Sequence, residues 1–183
     1  MSFNEWIFLG FVIFVLLIFI YGRRHVRLVA SERVWQPREL RNAELIYAEQ
    51  IFRTRGEIPI VAKLDRGYRN TDGVIILVEL KTRHAQRSYL SDVIELSAQR
   101  YAVQMQTGKA VAEYGYVLIQ QPRNKFKFPH RVSLLSTEEV IAVARRREAI
   151  LKGDAVARYA SSQSLCARCA FLQECKSSAD PLA

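Results

Sequence analysis

The sequence predicts an α/β domain carried behind a single N-terminal membrane-spanning helix. Two observations predict the domain. Residues 58–83, IPIVAKLDRGYRNTDGVIILVELKTR, have the pattern of two apolar strands joined by a polar, glycine-containing turn, and helical spacing of apolar residues stands on both sides, at 37–55 and 88–105. A third predicts the span: residues 6–22 run without a charge. With 183 residues, half of them hydrophobic, the chain can bury one sizeable core and has little left for a second.

A short tail at 1–5 precedes the span WIFLGFVIFVLLIFIYG, which is close to the minimum length that crosses the hydrocarbon layer as a helix. Trp6 and Tyr21 stand at its ends, where amphipathic rings prefer the interface. Arg23, Arg24 and Arg27 follow at once, whereas only Glu5 is charged before it. The positive side is the C-terminal side, so the expected arrangement is a single-pass membrane protein with its C-terminal domain in the cytoplasm. A cleaved signal peptide would place its positive charge before the apolar run. A buried core helix would not be apolar on every face. Residues 23–36 then form a basic juxtamembrane linker, and the net charge of +9 suits a polyanionic partner or an anionic membrane surface.

Within 37–55, Leu40, Leu45, Ile46 and Phe52 fall near helical spacing with Pro37 in a first-turn position, which predicts the first helix of the domain. Its Glu44 and Glu49 have the ordinary fate of helical glutamates, solvation. Strand one is expected at 58–68 and strand two at 74–82, joined through Asn70, Thr71, Asp72 and Gly73. Alternation on strand two sends Glu79 and Lys81 one way and Val78 and Leu80 the other. Asp65, on the antiparallel partner, comes opposite residue 78 or 79, so two carboxylates can converge on one hard cation, Mg²⁺ or Mn²⁺. Lys81 beside them would orient or help deprotonate a water and offset phosphate charge. The competing reading is a surface ion pair at a strand end, since the E-x-K triplet by itself is a weak signal.

The helix at 88–105 is expected to carry Leu90, Ile94, Tyr101 and Met105 along one side and Glu95 with Gln99 together on a face. Gln99 can donate to a phosphate or a metal-bound water, although solvation is the commoner fate of a helical glutamine. Arg83, His84, Arg87 and Arg100 surround the same region as a phosphate-binding or merely solvated basic rim. Further strands are expected at 114–120 and 131–135. Between them, Lys125, Phe126, Lys127 and Phe128 alternate cation and ring, suited to stacking on bases or to tucking the rings into the core. A helix at 137–152 begins at a Ser136/Glu139 capping box and stops at Gly153; its Arg145, Arg146 and Arg147 suit a solvated face first and nucleic-acid contact second. Cys166, Cys169 and Cys175 make C-x2-C-x5-C, which suits zinc, an iron–sulfur cluster or reduced thiols better than a disulfide. A reducing compartment follows.

An Asp on one strand followed by an apolar strand ending Val78-Glu79-Leu80-Lys81-Thr82 resembles the PD-(D/E)XK nucleases, and most the RecB-like branch that includes the CRISPR-associated exonucleases. The resemblance implies a restriction-endonuclease-like mixed sheet flanked by helices over 37–176, with a tail at 177–183. It implies metal-dependent hydrolysis of DNA, or of RNA, with Asp65 and Glu79 as metal ligands and Asp65, Glu79, Lys81 and Gln99 as the catalytic set. Arg83, Arg87, Arg100, Lys125 and Lys127 would contact the nucleic acid. The branch carries a Gln and a Tyr four apart on the helix after the E-x-K strand; here Glu95 and Gln99 hold that spacing. The cysteines, at 166–175, are similar to a C-terminal cluster-binding triad whose fourth ligand is an N-terminal cysteine. Gln36 stands where that ligand is expected, leaving His25, His84 or His130 to complete a set, or zinc or plain thiols in its place. A non-catalytic, membrane-tethered nucleic-acid-binding module is the alternative function.

Overall fold

Five strands form one mixed sheet in the order β1-β2-β3-β4-β5, so every strand lies beside its neighbour in sequence. The strands are β1 Glu44–Arg53, β2 Val61–Arg69, β3 Ile75–Thr82, β4 Val111–Gln120 and β5 Lys127–Ser133. They are accompanied by helices α1 Arg38–Arg41, α2 Leu90–Thr107, α3 Thr137–Lys152 and α4 Gln163–Cys166. The structure is a computed structural model and describes residues 14, 16, 35–55, 58–123, 126–158, 163–166, 169–170 and 172–173. The chain divides into two units, Met1–Ala142, which holds the sheet, and Val143–Ala183.

Pairing is antiparallel except between β3 and β4. That one parallel step needs a long crossover, and α2 provides it. The β2–β3 hairpin follows from its turn: Gly73 has φ +80°, and Asn70 Oδ1 accepts the amides of Asp72 at 3.1 Å and Val74 at 2.8 Å. Because β3 is covered on both faces, its side chains alternate between two cores. Ile75 and Leu77 join Phe52, Leu64, Leu96, Val103, Val117 and Ile119, whereas Ile76 and Val78 join Trp35, Leu40, Tyr68, Tyr116 and Leu118. Glu79 and Lys81 continue the row of Ile75 and Leu77, the side against which α2 packs.

The expected helix at 37–55 is not formed. Only Arg38–Arg41 is helical, after Pro37, and residues 44–53 are instead strand β1, paired from Glu44↔Arg69 to Arg53↔Val61. Leu, Ile, Tyr and Phe recur here at spacings that fit either period, and the partner strand decides between them. Phe52, 1% exposed, sits edge-on to Tyr47 with ring centroids 5.1 Å apart.

The buried side of α2 also differs from expectation. Of the expected side only Tyr101 is buried; Leu90 and Met105 are 70% and 55% exposed, while Leu96, Ala102 and Val103 are buried together with polar Asp92, Ser97 and Gln99. A buried polar cluster hides the true helix face from a hydrophobicity pattern. The strand expected at 131–135 begins at Lys127, which pairs with Gln120, so Lys127 and Phe128 belong to β5 and Phe126, 64% exposed, precedes it. Lys125 lies outside the described residues.

The capping box of α3 is present: Ser136 N donates to Glu139 Oε2 at 2.7 Å and Glu139 N to Ser136 Oγ at 3.2 Å, and Gly153 with φ +82° ends the helix. Ser136→Ala should lower stability by about 1 kcal/mol in urea denaturation, with an unchanged m-value. Of the apolar run at 6–22, Phe14 and Leu16 are helical and the rest lies outside the described residues. Among the described residues no helix is long and apolar enough to cross a membrane.

Candidate active site

The carboxylate of Asp65 stands where β2 leaves β3. Ladder pairing between them ends at Arg66↔Val78, and the same register would set Asp65 opposite Glu79. Beyond that point Asp65 Oδ2 accepts the backbone N–H of Leu80 at 2.8 Å, taking the place of a ladder carbonyl. The cause is an irregularity in β2. Leu64 lies in the α2-side core, and a Cβ on Gly67 would stand 3.2 Å from Leu64 Cδ2 and 3.0 Å from Tyr47 Cδ2, so residues 64 and 67 face the same way. Strict alternation forbids that for residues three apart. Glu49, flanked by the pairs Ala48↔Arg66 and Gln50↔Leu64 and therefore opposite Asp65, has φ +51°, an uncommon conformation for a non-glycine residue. Both strands bend at one level, and Asp65 is the side chain at the bend.

Three rungs join β3 to α2. Gln99 Nε2 donates to Glu79 Oε2 at 2.7 Å, Lys81 Nζ donates to Glu95 Oε2 at 2.6 Å, and Arg83 holds Asp92 through Nη1–Oδ1 at 3.2 Å and Nη2–Oδ2 at 2.6 Å. The strand contributes positions 79 and 81, the residue just past its end contributes position 83, and the helix, running the opposite way, contributes 99, 95 and 92. Two strand residues advance about 6.7 Å and three to four helical residues about 4.5–6 Å, so the two periods stay in step for three rungs. Lys81 Nζ also lies 2.8 Å from Glu79 Oε1, and Gln99 Nε2 also donates to Lys63 O at 3.0 Å. Glu79 is 4% exposed and Gln99 2% exposed, so this end of the ladder lies under the helix, while Asp65 is half-buried at its edge.

Burial pushes the Glu79 carboxyl above its ordinary value of 4.5, and the charges of Asp65 and Glu95 add to the rise, while hydrogen bonds from Lys81 and Gln99 offset part of it. Burial acts against the Lys81 ammonium too, but its hydrogen bonds to Glu79 and Glu95 outweigh that and hold it at about 12. Lys81 is therefore a fixed positive charge at neutral pH. On a raised carboxyl a divalent cation competes with the proton: binding is full above the raised value and is lost as pH falls through it. If Glu79 ligates Mn²⁺, the affinity, titrated without nucleic acid, should thus decline on acidification at pH values still above 4.5, earlier than an ordinary glutamate would allow.

The structure brings together Asp65, Glu79, Lys81 and Gln99. It adds Glu95 and Asp92, which alternation on the strand with i, i+3, i+7 spacing on the helix would have revealed as complementary partners. The basic residues have different placements. Arg83 is occupied by Asp92, and Arg100, its side chain 13% exposed, donates to Leu135 O at 3.2 Å. Arg87 is exposed, with its guanidinium carbon 4.9 Å from the centroid of the Tyr89 ring. Lys127 is half-buried on β5. In the second unit Cys166 and Cys169 are free thiols with Cys169 N donating to Cys166 O at 3.0 Å; Cys175 lies outside the described residues, as does His25. Among the described residues no group of three or more His, Cys, Asp or Glu is placed to hold a metal ion.

No family model matches the chain. No curated protein matches it either. A solved structure described as "Crystal structure of SSO0001" is similar to it with a TM-score of 0.47 and 17% identity, over 85% of this chain and 69% of that one.

Proposed function

We propose that the chain is a membrane-anchored, metal-dependent nuclease of the PD-(D/E)XK kind, hydrolysing phosphodiester bonds of DNA or RNA. The observation that carries this reading is the placement of Asp65 beside the Glu79–Lys81 pair: Asp65 Oδ2 accepts the Leu80 amide, its charge acts on the Glu79 carboxyl, and Lys81 Nζ lies 2.8 Å from Glu79. The donor chemistry fits a hard divalent cation: Asp65 and Glu79 would hold it, each through carboxylate oxygen, and Asp65 Oδ1 accepts no hydrogen bond among the described residues. Two carboxylates suffice for Mg²⁺ or Mn²⁺, which keep waters and substrate oxygens in their other positions. When bound, the cation supplies Lewis-acid polarisation of the phosphoryl oxygen and a more acidic water.

The chain's own residues do the rest. Lys81, held protonated, offsets the negative charge that grows on the phosphoryl group. Gln99 fixes the Glu79 carboxylate by donating to Oε2, and Glu95 keeps Lys81 pointed into the cluster. Arg87, Lys125 and Lys127 would contact the backbone, with Phe126 a candidate for stacking on a base. The restriction-endonuclease-like fold, the N-terminal membrane helix and a zinc ion or iron–sulfur cluster on Cys166, Cys169 and Cys175 belong to the same proposal. One observation favours the non-catalytic, nucleic-acid-binding alternative: both Glu79 oxygens already accept hydrogen bonds from within the protein.

The test is incubation of the full chain with single- and double-stranded DNA and RNA, with Mg²⁺, Mn²⁺ or chelator. Metal-dependent cleavage that disappears in Asp65→Ala and Lys81→Ala supports the nuclease. Retention of nucleic acid without cleavage points to the binding module, and variants that cleave as well as the parent sink the assignment of the site.

A further inference from the structure

The outermost rung of the β3–α2 ladder lies away from the carboxylates proposed to hold metal, yet it is the most elaborately built. Asp92 is 3% exposed, and its carboxylate takes two jobs at once. It accepts both terminal nitrogens of Arg83 and, through Oδ2, the backbone N–H of Tyr89 at 2.8 Å, the residue that caps the start of α2. Burial alone would raise this carboxyl, but Arg83 and the Tyr89 amide outweigh it and hold it below its ordinary value. Arg83 is held from other sides as well. Its Nη2 donates to Arg87 O at 2.5 Å, and its guanidinium carbon lies 4.5 Å from the centroid of the Tyr89 ring. Backbone pairing continues to its own amide, which donates to Gln120 O at 3.1 Å. The last residue of the β3 row is thus fastened to the first turn of α2.

Fixing one end of a helix against a strand sets its rotation and its slide. On α2 those two quantities decide whether Glu95 meets Lys81 and Gln99 meets Glu79, one and two turns further along. We propose that Asp92 and Arg83 are a positioning pair: a clamp that sets the phase of α2 against β3 and thereby presents Gln99 and Glu95 to the Glu79–Lys81 centre. The inference rests on the nuclease reading for its catalytic consequence only; the clamp itself is a statement about geometry. It also assigns Arg83 a role inside the protein in place of a phosphate contact.

The experiment uses the full chain and the variants Asp92→Ala, Asp92→Asn and Arg83→Met, with three readouts. The first is the side-chain amide signal of Gln99 by NMR, assigned through its loss in Gln99→Leu; in the parent its bonds to Glu79 and Lys63 O are expected to slow its exchange. The second is Mn²⁺ affinity, expected to weaken about 10–100-fold in Asp92→Ala and Arg83→Met, as for partners that orient metal ligands. The third is cleavage, expected to lose kcat with little change in KM for an oligonucleotide. The double variant should be no worse than either single one, since both remove one rung. Asp92→Asn keeps an acceptor for the Tyr89 amide but loses the charge pair, so it should weaken Mn²⁺ binding while retaining more thermal stability than Asp92→Ala. If Asp92→Ala does not fold, Asp92→Asn and Arg83→Met decide the matter. Unchanged Gln99 signals and Mn²⁺ affinity in folded variants overturn the clamp, as does full Mn²⁺ affinity in Asp92→Asn, which would leave Asp92 a helix cap. The amide signal decides the clamp whether or not the parent cleaves nucleic acid, so failure of the nuclease reading is seen separately.

Discussion

On the proposed nuclease reading, Lys81→Ala is expected to lower the single-turnover cleavage rate by about 10²–10³-fold, the usual cost of removing one preorganised charge from a transition state. The side chain is 26% exposed and lies between Glu79 Oε1 at 2.8 Å and Glu95 Oε2 at 2.6 Å. Because those carboxylates hold it at about 12, it is an ammonium across the neutral range and is poorly suited to take a proton from water. Its contribution is charge. Lys81→Arg, which keeps the charge in a different shape, should therefore retain more activity than Lys81→Met, which keeps the length and loses the charge. Were Lys81 the base, both substitutions would abolish the reaction alike. A second effect follows from burial: without Lys81, Glu79 loses one of the two hydrogen bonds that restrain its rise, so its carboxyl climbs further. The acidic limb of Mn²⁺ binding should then move to higher pH in Lys81→Met than in the parent. An unchanged rate, or an unchanged acidic limb, removes Lys81 from the site.

How much of this site is legible in the sequence depends on how local each determinant is. The register of Asp65 against Glu79 is legible because the turn is local: Asn70 and Gly73 fix the hairpin, and counting outward from it sets residue 65 opposite 79. The companion rungs were harder to see. Asp92 and Gln99 are buried because β3 offers them partners, so a search for an apolar helix face selects Leu90 and Met105 instead, the residues that are exposed. Strand β1 is ambiguous for a related reason. Its partner β2 begins close by, at Val61, but the segment's own spacing of Leu45, Ile46 and Phe52 suits either structure, and only the pairing decides between them. The bend at Asp65 leaves only one trace, Gly67, whose missing Cβ makes room for Tyr47 and Leu64.

Gly115→Val should destabilise the protein by about 3 kcal/mol and release α2 from the site. Gly115 lies on β4 opposite Leu77, just past the register shift of the parallel β3–β4 pair. Its φ is not positive, so glycine is needed there for space. A Cβ would stand 3.0 Å from the carbonyl oxygen of Leu77 and 3.6 Å from Leu96 Cδ1. The nearer obstacle is backbone, which cannot turn aside as a side chain can. Leu96, fully buried on α2, closes over the same spot, so added bulk on β4 also drives the helix outward. Gln99 and Glu95 travel with it, and their bonds to Glu79 and Lys81 lengthen or break. Gly115→Val should accordingly lose Mn²⁺ affinity along with thermal stability, although residue 115 touches neither carboxylate. Leu96→Ala is a useful contrast, expected to cost about 2–5 kcal/mol through a cavity. If the leucine were the obstacle, combining Leu96→Ala with Gly115→Ala would recover stability relative to the two costs added. With the Leu77 carbonyl as the obstacle, the costs add without recovery. Urea denaturation of the two single variants and the double variant separates these outcomes, and a stable Gly115→Val protein with parental Mn²⁺ affinity would show that close approach of α2 to the sheet is not what holds the site together.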